Sequence, residues 1–172
     1  ELDKAVNKVF IDNVSNFVNR VASFAYSRFE GKIPEGNLEK EVYKEIQKAS
    51  EKIDEKIARG SLSGGLKEIC SLANFGNQYF QDNKPWETED VDVVFSSIQM
   101  VKAVGIMLEP YVPDFSEDVY EILGLDNPDW QDIEKPVKGR LKKPEALFEK
   151  PDIDEIKEKY ELKKKSSKEK GD

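Results

Sequence analysis

Apolar residues recur at steps of three and four along most of the chain, and this spacing constrains the fold more than any other feature of the sequence. An α-helix turns 100° per residue, so such steps align apolar side chains along one face. Four long segments have the pattern, and glycines or prolines separate them. These segments span about 3–29, 38–58, 62–82 and 89–109, and a shorter helix is predicted over about 116–123.

The connections between these segments are short, and no segment alternates apolar and polar residues as a half-buried strand does. Short connections place consecutive helices side by side in opposite directions. The sequence therefore predicts an all-α fold, an up-down helix bundle.

The ends of the predicted helices have typical capping residues. Gly60 follows the second segment, where a left-handed residue commonly ends a helix. Ser61 or Ser63 is positioned to cap the third helix, and Ser116 to cap the short one. Pro85 stops the third helix, so Trp86 is predicted to lie in the turn between two helices.

Composition divides the chain into three parts. Residues 1–135 form the predicted bundle, and 136–151 is a proline-containing return segment. Residues 152–172 form a charged, low-complexity tail, which we expect to be partly disordered. The charges of the tail cancel, so the rest of the chain carries the whole net charge of -8.

Two residue counts exclude most catalytic chemistry. The chain has no histidine, which excludes serine–histidine and cysteine–histidine nucleophiles and histidine-bound zinc. Cys70 is the single cysteine, so neither an internal disulfide nor a cysteine metal cluster is possible. Gly64 and Gly65 lack the strand and the Gly-Lys-Ser/Thr spacing of a phosphate loop. We therefore predict no catalytic residues and no metal site.

The cellular setting is predicted from the same counts. A single cysteine suits the reducing cytoplasm. No apolar run approaches the roughly 18 residues that a membrane span needs, so no membrane partner is expected. The chain starts at Glu1 with neither an initiator methionine nor a signal peptide, which suggests a piece of a longer protein.

The first predicted helix has an unusual polar face. Asn16 and Arg20 are one turn apart on this face, with Asn13, Ser23 and Ser27 close by. Solvated helix faces are normally rich in Lys and Glu, whereas Asn and Arg are the residues that hydrogen-bond to base edges. Two interpretations stay open: a surface that reads nucleic-acid bases, or a polar face packed on a neighbouring helix.

The end of the third predicted helix contains three further candidates. Asn77 falls within the apolar stripe, and a buried Asn must be hydrogen-bonded, so it is interpreted as a structural latch. Trp86 is either a core side chain or a platform on which a base stacks. Lys84 beside it favours a nucleotide, because a cation next to an exposed indole suits a phosphate.

These residues belong to a pattern that resembles a known family. The family is that of the methionyl-tRNA synthetases. In their anticodon-binding domain, the third helix ends in a motif similar to the run Asn77-x-Tyr79-Phe80-x-Asp82-x-Lys84-Pro85-Trp86. The first helix of that family has a comparable Asn-x-x-x-Arg, as in Asn16 and Arg20. Later stretches also resemble the family, namely Leu108-x-Pro110-x-x-Pro113, Leu123-Gly124 and Leu147-Phe148. The resemblance covers roughly 1–150 and is closest to archaeal-type sequences.

The resemblance implies a helical domain that binds the CAU anticodon of methionine tRNA. It implies that Trp86 stacks on the first, wobble base and that Asn16 and Arg20 contact anticodon bases, with Asn13 and Lys84 in support. The parent enzyme would be a methionine–tRNA ligase that uses ATP and Mg²⁺ in a separate catalytic domain. This chain would then bind tRNA and that domain, hold no cofactor and catalyse nothing.

One property departs from the usual pattern of RNA-binding proteins. A net charge of -8 does not favour nonspecific binding to a polyanion. Two alternatives therefore remain beside the methionine interpretation. One is the anticodon-binding domain of a leucyl-, isoleucyl- or valyl-type synthetase, and the other is a helical bundle that binds proteins.

Overall fold

The computed structural model describes the backbone of residues 4–144 and the side chains of residues 12–144. Within this range the chain forms six α-helices and one 3-10 helix, with no strand beyond a single bridge between Lys32 and Arg140. The helices are α1 (Lys4–Arg28), α2 (Lys40–Ala58), α3 (Leu62–Asn83), α4 (Pro85–Thr88), α5 (Val91–Leu108) and α6 (Pro113–Leu123), and the 3-10 helix is Trp130–Glu134. The all-α helical bundle predicted from the sequence is confirmed.

Helix α5 is the centre of the bundle, and every residue from Val93 to Leu108 is buried. It packs against α1, α2, α3 and α6. Its 18 residues have a mean hydropathy of 1.6. By length and composition the helix could therefore cross a membrane, and the expectation that no apolar run approaches 18 residues was wrong. However, 89% of the helix is buried inside the protein, as in the core helix of a folded domain.

Helices α1 and α3 approach each other closely at Gly76. A Cβ at this position would lie 2.5 Å from the ring atoms of Phe17, which is fully buried. Glycine thus lets the Phe17 ring pack directly on the backbone of α3. This close contact sets the spacing of the two helices that carry most of the predicted site.

The predicted caps between α2 and α3 are confirmed. Gly60 has a φ of +75° directly after α2, the left-handed conformation that glycine adopts without steric cost. The hydroxyl of Ser61 accepts a hydrogen bond from the backbone N–H of Gly64, at 3.3 Å. The two helices therefore turn back on each other over a short connection.

Two local predictions were wrong. Ser116 does not cap α6, because that helix begins one turn earlier at Pro113. Its hydroxyl is buried and donates a hydrogen bond of 2.6 Å to the carbonyl oxygen of Gly105 in α5. Trp86 does not lie in an open turn either, since Pro85 starts the short helix α4. Proline suits the first position of a helix, because an N–H group there would have no hydrogen-bond partner within the helix.

Residues 130–141, here called the strap, comprise the 3-10 helix and the segment that returns across the bundle after it. Ile133, Val137 and Leu141 are buried in the core. The amide of Ile33 donates to the carbonyl of Gly139 at 2.9 Å, which fixes the strap beside the end of α1. The predicted return segment is described only to residue 144, and Leu147, Phe148 and the charged tail lie outside the described residues.

Candidate nucleic-acid interface

Helices α1, α3 and α4 meet at one corner of the bundle, where the predicted site residues lie. Helix α4 is a single turn, and a residue with a left-handed backbone precedes and follows it: Lys84 with φ 44° and Glu89 with φ 55°. Such conformations are unfavourable for residues other than glycine and are common at functional sites. We call Arg20, Arg28, Phe80, Gln81 and Trp86 the tryptophan corner.

The indole of Trp86 is half-buried and rests on the core. Its ring centroid lies 5.7 Å from that of Phe80, with the two planes at 48°. Phe80 is 1% exposed and is held in turn by the edge of Phe24, at a centroid distance of 5.5 Å. The indole therefore has a rigid aromatic support while part of its surface reaches solvent.

Arg20 reaches from α1 across to the same rings. Its guanidinium carbon lies 5.3 Å from the centroid of Trp86 and 5.1 Å from that of Phe80, within the range of cation–π attraction. Its Nη2 donates to the side-chain oxygen of Gln81 in α3. Arg20 is half-buried, whereas a side chain on a fully solvated polar face would be exposed.

Arg28, two turns further along α1, contacts the backbone of α4. Its Nη2 donates to the carbonyl oxygen of Trp86 at 2.9 Å, and its Nη1 lies 3.6 Å from Oε1 of Glu89. The guanidinium carbon also lies 5.7 Å from the centroid of Phe24. Arg28 therefore joins α1 to the turn that carries the indole.

Three asparagines were predicted near this corner. Asn16 is exposed, one turn before Arg20 on α1. Asn77 is half-buried, and its Nδ2 donates to the backbone oxygen of Asn13 at 3.4 Å, so it joins α3 to α1. This bond fits the predicted latch, although Asn77 is less buried than its place in the apolar stripe suggested.

Lys84 is exposed and ends α3. Its backbone N–H donates to the carbonyl of Phe80 at 3.2 Å, while its own carbonyl accepts from the N–H groups of Glu87 and Thr88. The backbone of Lys84 is therefore fixed directly before Pro85 and Trp86. This leaves its ammonium group in solvent beside the tryptophan corner.

Sequence reasoning missed Gln81 and the connecting role of Arg28. A signal for Gln81 was present, because it lies one helical turn after Asn77 and therefore on the face that meets α1. The role of Arg28 had no local signal. Its contact with Trp86 joins residues 58 positions apart, which helical periodicity cannot relate.

Cys70 and the many carboxylates are the remaining groups of the described chain with reactive or metal-binding chemistry. Burial raises the pKa of the Cys70 thiol to about 11, so the thiol is protonated and unreactive at neutral pH. Within the described residues, no group of three or more Cys, Asp or Glu side chains is placed to hold a metal ion.

Comparison with known proteins identifies the family. Residues 31–169 match the family described as the anticodon binding domain of methionyl tRNA ligase. The chain belongs to this family. The match supports the methionine type among the alternatives that the sequence left open.

Relatives of this anticodon-binding domain are archaeal methionine–tRNA ligases. The Pyrococcus abyssi protein is 38% identical over 162 residues, which are 88% of this chain and 22% of that protein. The Pyrococcus horikoshii protein is 36% identical over 167 residues, or 91% of this chain and 23% of that protein. The chain therefore spans less than a quarter of the length of these relatives.

Solved structures share the fold. Apo methionyl-tRNA synthetase from Mycobacterium tuberculosis matches with a TM-score of 0.69 and 15% identity over 84% of this chain and 33% of that one. The same enzyme bound to methionyl-adenylate matches with a TM-score of 0.71 over 81% and 31%. At this identity the likeness concerns the fold alone, which is the bundle described above.

Proposed function

We propose that this anticodon-binding domain recognises the CAU anticodon of methionine tRNA at the tryptophan corner. The observation that supports this best is the half-buried indole of Trp86, with the guanidinium carbon of Arg20 at 5.3 Å from its centroid. An aromatic surface for stacking and a fork of hydrogen-bond donors beside it suit an unpaired base.

Each residue of the proposed site has a distinct part. The wobble base stacks on Trp86, which contributes roughly 1–3 kcal/mol, as base–aromatic stacking does elsewhere. Arg20 donates to acceptors on a base edge, and the exposed amide of Asn16 both donates and accepts. Lys84 is placed to meet a backbone phosphate, and Asn13 supports the position of α1 through its bond with Asn77.

Local chemistry matters more here than overall charge. The chain has a net charge of -8, and Glu87 and Glu89 lie beside Trp86. Arg28 partly offsets Glu89, with 3.6 Å between their charged atoms. Because long-range attraction of a polyanion is weak in such surroundings, binding depends on stacking and directed hydrogen bonds. We therefore expect weak affinity for the isolated domain and a shallow dependence on salt.

The whole protein would be a methionine–tRNA ligase located in the cytoplasm. A catalytic domain outside this chain would activate methionine with ATP and Mg²⁺, and the present residues would take no part in that step. The chain alone should therefore be inert in methionine-dependent pyrophosphate exchange. Activity above background, in a preparation free of host synthetase, would contradict this assignment.

Binding to stem–loops tests the proposal directly. We expect the chain to bind a methionine tRNA anticodon stem–loop with CAU more tightly than loops with the same stem and a different anticodon. A loop with only the first anticodon base changed should lose most of the preference, because that base is assigned to Trp86. Equal affinity for all loops would mean that the domain contacts only the phosphate backbone.

A further inference from the structure

We propose that Arg28 is a positioning residue that sets the orientation of the Trp86 indole for base stacking. This inference rests on the proposed function, since the orientation matters only if a base stacks there. Arg28 belongs to α1, whereas Trp86 belongs to α4, and the two are joined by a hydrogen bond of 2.9 Å from Nη2 to the backbone carbonyl.

Helix α4 needs an external contact to stay in place. It has four residues, too few for a stable helix on its own. Lys84 and Glu89 adopt left-handed conformations on either side of it, so its backbone is held in an unfavourable path. The carbonyl of Trp86 lies in the last turn, where helix carbonyls lack intrahelical partners. Arg28 supplies a donor for this carbonyl.

The arginine side chain makes three contacts at once. Its guanidinium carbon lies 5.7 Å from the centroid of Phe24, one nitrogen bonds to the Trp86 carbonyl, and another lies 3.6 Å from Glu89. A flat fork with several donors can satisfy these directions together, whereas the single ammonium of lysine cannot. We therefore expect Arg28→Lys to retain the charge but to lose most of the positioning.

The ion pair with Glu89 should contribute little. Both side chains are largely exposed, and solvent screens exposed pairs at such distances. The bond to the backbone carbonyl is the contact that joins the two helices. Arg28 therefore acts chiefly through the position of the indole, and its exposed charge should contribute little to RNA binding.

The experiment uses chains in which Trp130→Phe leaves Trp86 as the sole indole. Arg28→Met and Arg28→Lys are compared with Arg59→Met, which removes an exposed arginine that directly follows α2 and pairs with Glu55 one turn earlier. In the free protein, acrylamide quenching and fluorescence anisotropy report how firmly the Trp86 ring is held. We expect both Arg28 variants, and not Arg59→Met, to show faster quenching and lower anisotropy.

Binding of the CAU stem–loop is measured with the same variants at two salt concentrations. Arg28→Met and Arg28→Lys should weaken binding by roughly tenfold, equivalent to about 1.4 kcal/mol, and Arg59→Met by less than about twofold. The slope of log affinity against log salt should be unchanged. A phosphate contact would instead lower the slope by roughly 0.7 for a single strand.

The possible outcomes separate this proposal from the proposed function. If the parent chain fails to bind the loop, the proposed function fails, and the free-protein fluorescence still tests the contact between Arg28 and Trp86. If the chain binds but the Arg28 variants match Arg59→Met, the positioning role is refuted. A reduced salt slope with unchanged anisotropy would also refute it, because Arg28 would then be a phosphate contact. If Arg28→Met unfolds, Arg28→Lys decides the question.

Discussion

The tryptophan corner and the strap use similar groups for opposite purposes. At the strap, Gln99 and Lys102 of α5 donate to backbone carbonyls more than 30 residues away. At the corner, Arg28 donates to the backbone carbonyl of Trp86 and Arg20 donates to the side-chain oxygen of Gln81. At the strap, the donors Gln99 and Lys102 are only 1% and 3% exposed. At the corner, Arg20 is half-buried and Arg28 is exposed. The strap donors are therefore enclosed by protein, while the corner donors remain within reach of a ligand.

Four hydrogen bonds join α5 to the strap. Gln99 donates to the carbonyls of Ile133 at 3.1 Å and Lys135 at 2.8 Å, and its oxygen accepts from the amide of Val137 at 3.1 Å. Lys102 adds a bond of 2.7 Å to the Lys135 carbonyl. We therefore expect the contacts of the strap to contribute mainly to stability and those of the tryptophan corner mainly to the proposed binding, and the predictions below test that division.

The largest expected effect is on stability, at Gln99. Gln99→Ala leaves the Ile133 carbonyl and the Val137 amide without their hydrogen-bond partner, whereas the Lys135 carbonyl keeps its bond from Lys102. Each buried group left unpaired costs roughly 1–3 kcal/mol, and the cavity left by the side chain adds to this. We expect the free energy of unfolding, measured in urea, to fall by about 3 kcal/mol or more. The control Gln131→Ala, at an exposed position, should change it by less than about 0.5 kcal/mol. A loss below about 1 kcal/mol for Gln99→Ala would mean that the strap is not held in this way.

The two tryptophans should respond differently to truncation. Trp86→Ala should weaken binding of the CAU loop by roughly 1–3 kcal/mol, the contribution of one stacked base. Its effect on stability should stay below the roughly 3–5 kcal/mol of a fully buried tryptophan, since the ring is half-buried. Trp130→Ala should leave the affinity of the folded protein unchanged. Equal losses of affinity in the two variants would remove the distinction between corner and strap.

The polar groups on α1 should discriminate between anticodons. Asn16→Ala and Arg20→Ala should each weaken binding of the CAU loop by roughly 1–3 kcal/mol, the scale of one good side-chain–base contact. The loss should be larger for CAU than for other anticodons when titrations are compared. Ser63→Ala, an exposed change at the end of α3 opposite to the tryptophan corner, provides the control. An identical loss on every loop would assign both residues to phosphate contacts.

The smallest expected effect is a pH dependence at Lys102. Burial lowers the pKa of this amine below its ordinary 10.5, Lys135 lowers it further, and Asp132 opposes the shift. Below the folded-state pKa both states are protonated, and the cost of burying the charge is fully present. Between the folded-state pKa and the higher unfolded-state pKa, only the unfolded state keeps the proton. The contribution of Lys102 to the free energy of unfolding therefore rises with pH in this range.

Lys102→Met removes that dependence while keeping an apolar stem. The free energy of unfolding of both proteins is measured from neutral pH to pH 10.5. The difference between them should shift in favour of the unsubstituted protein as the pH rises. Other groups titrate alike in both proteins, so they cancel in the difference. A difference that is flat over this range would show that the buried amine is not destabilised by its surroundings.

Much of the fold could be predicted from the sequence because helical periodicity is a local signal. The bounds of α1, α2 and α3 follow from apolar spacing with Gly60, Pro85 and the caps. Helix α5 was predicted over about 89–109 and spans Val91–Leu108, but the burial of Gln99 and Lys102 within it had no signal in the sequence. Their partners lie in the strap, more than 30 residues later. A glutamine and a lysine are accommodated in the central helix because the strap supplies their hydrogen-bond partners.

The candidate site was predictable in part for the same reason. The spacing of Asn16 and Arg20 on one helix is local, and so is the Pro85-Trp86 dipeptide. Their proximity across 66 positions had no local signal and came from the resemblance to the family. Arg28 and Gln81 required the structure, because each acts through a group on another helix. The start of α6 was misplaced because Ser116 is bonded to α5 instead of its own helix.

The fluorescence of Trp86 tests the central claim most directly. In the Trp130→Phe background, emission should be red-shifted in the free protein, because the indole reaches solvent. It should be quenched when the CAU stem–loop is added, and changing only the first anticodon base should reduce the quenching most. Emission that is blue-shifted and unaffected by the loop, together with unfolding of Trp86→Ala, would contradict the account. Trp86 would then be a core side chain instead of a stacking platform.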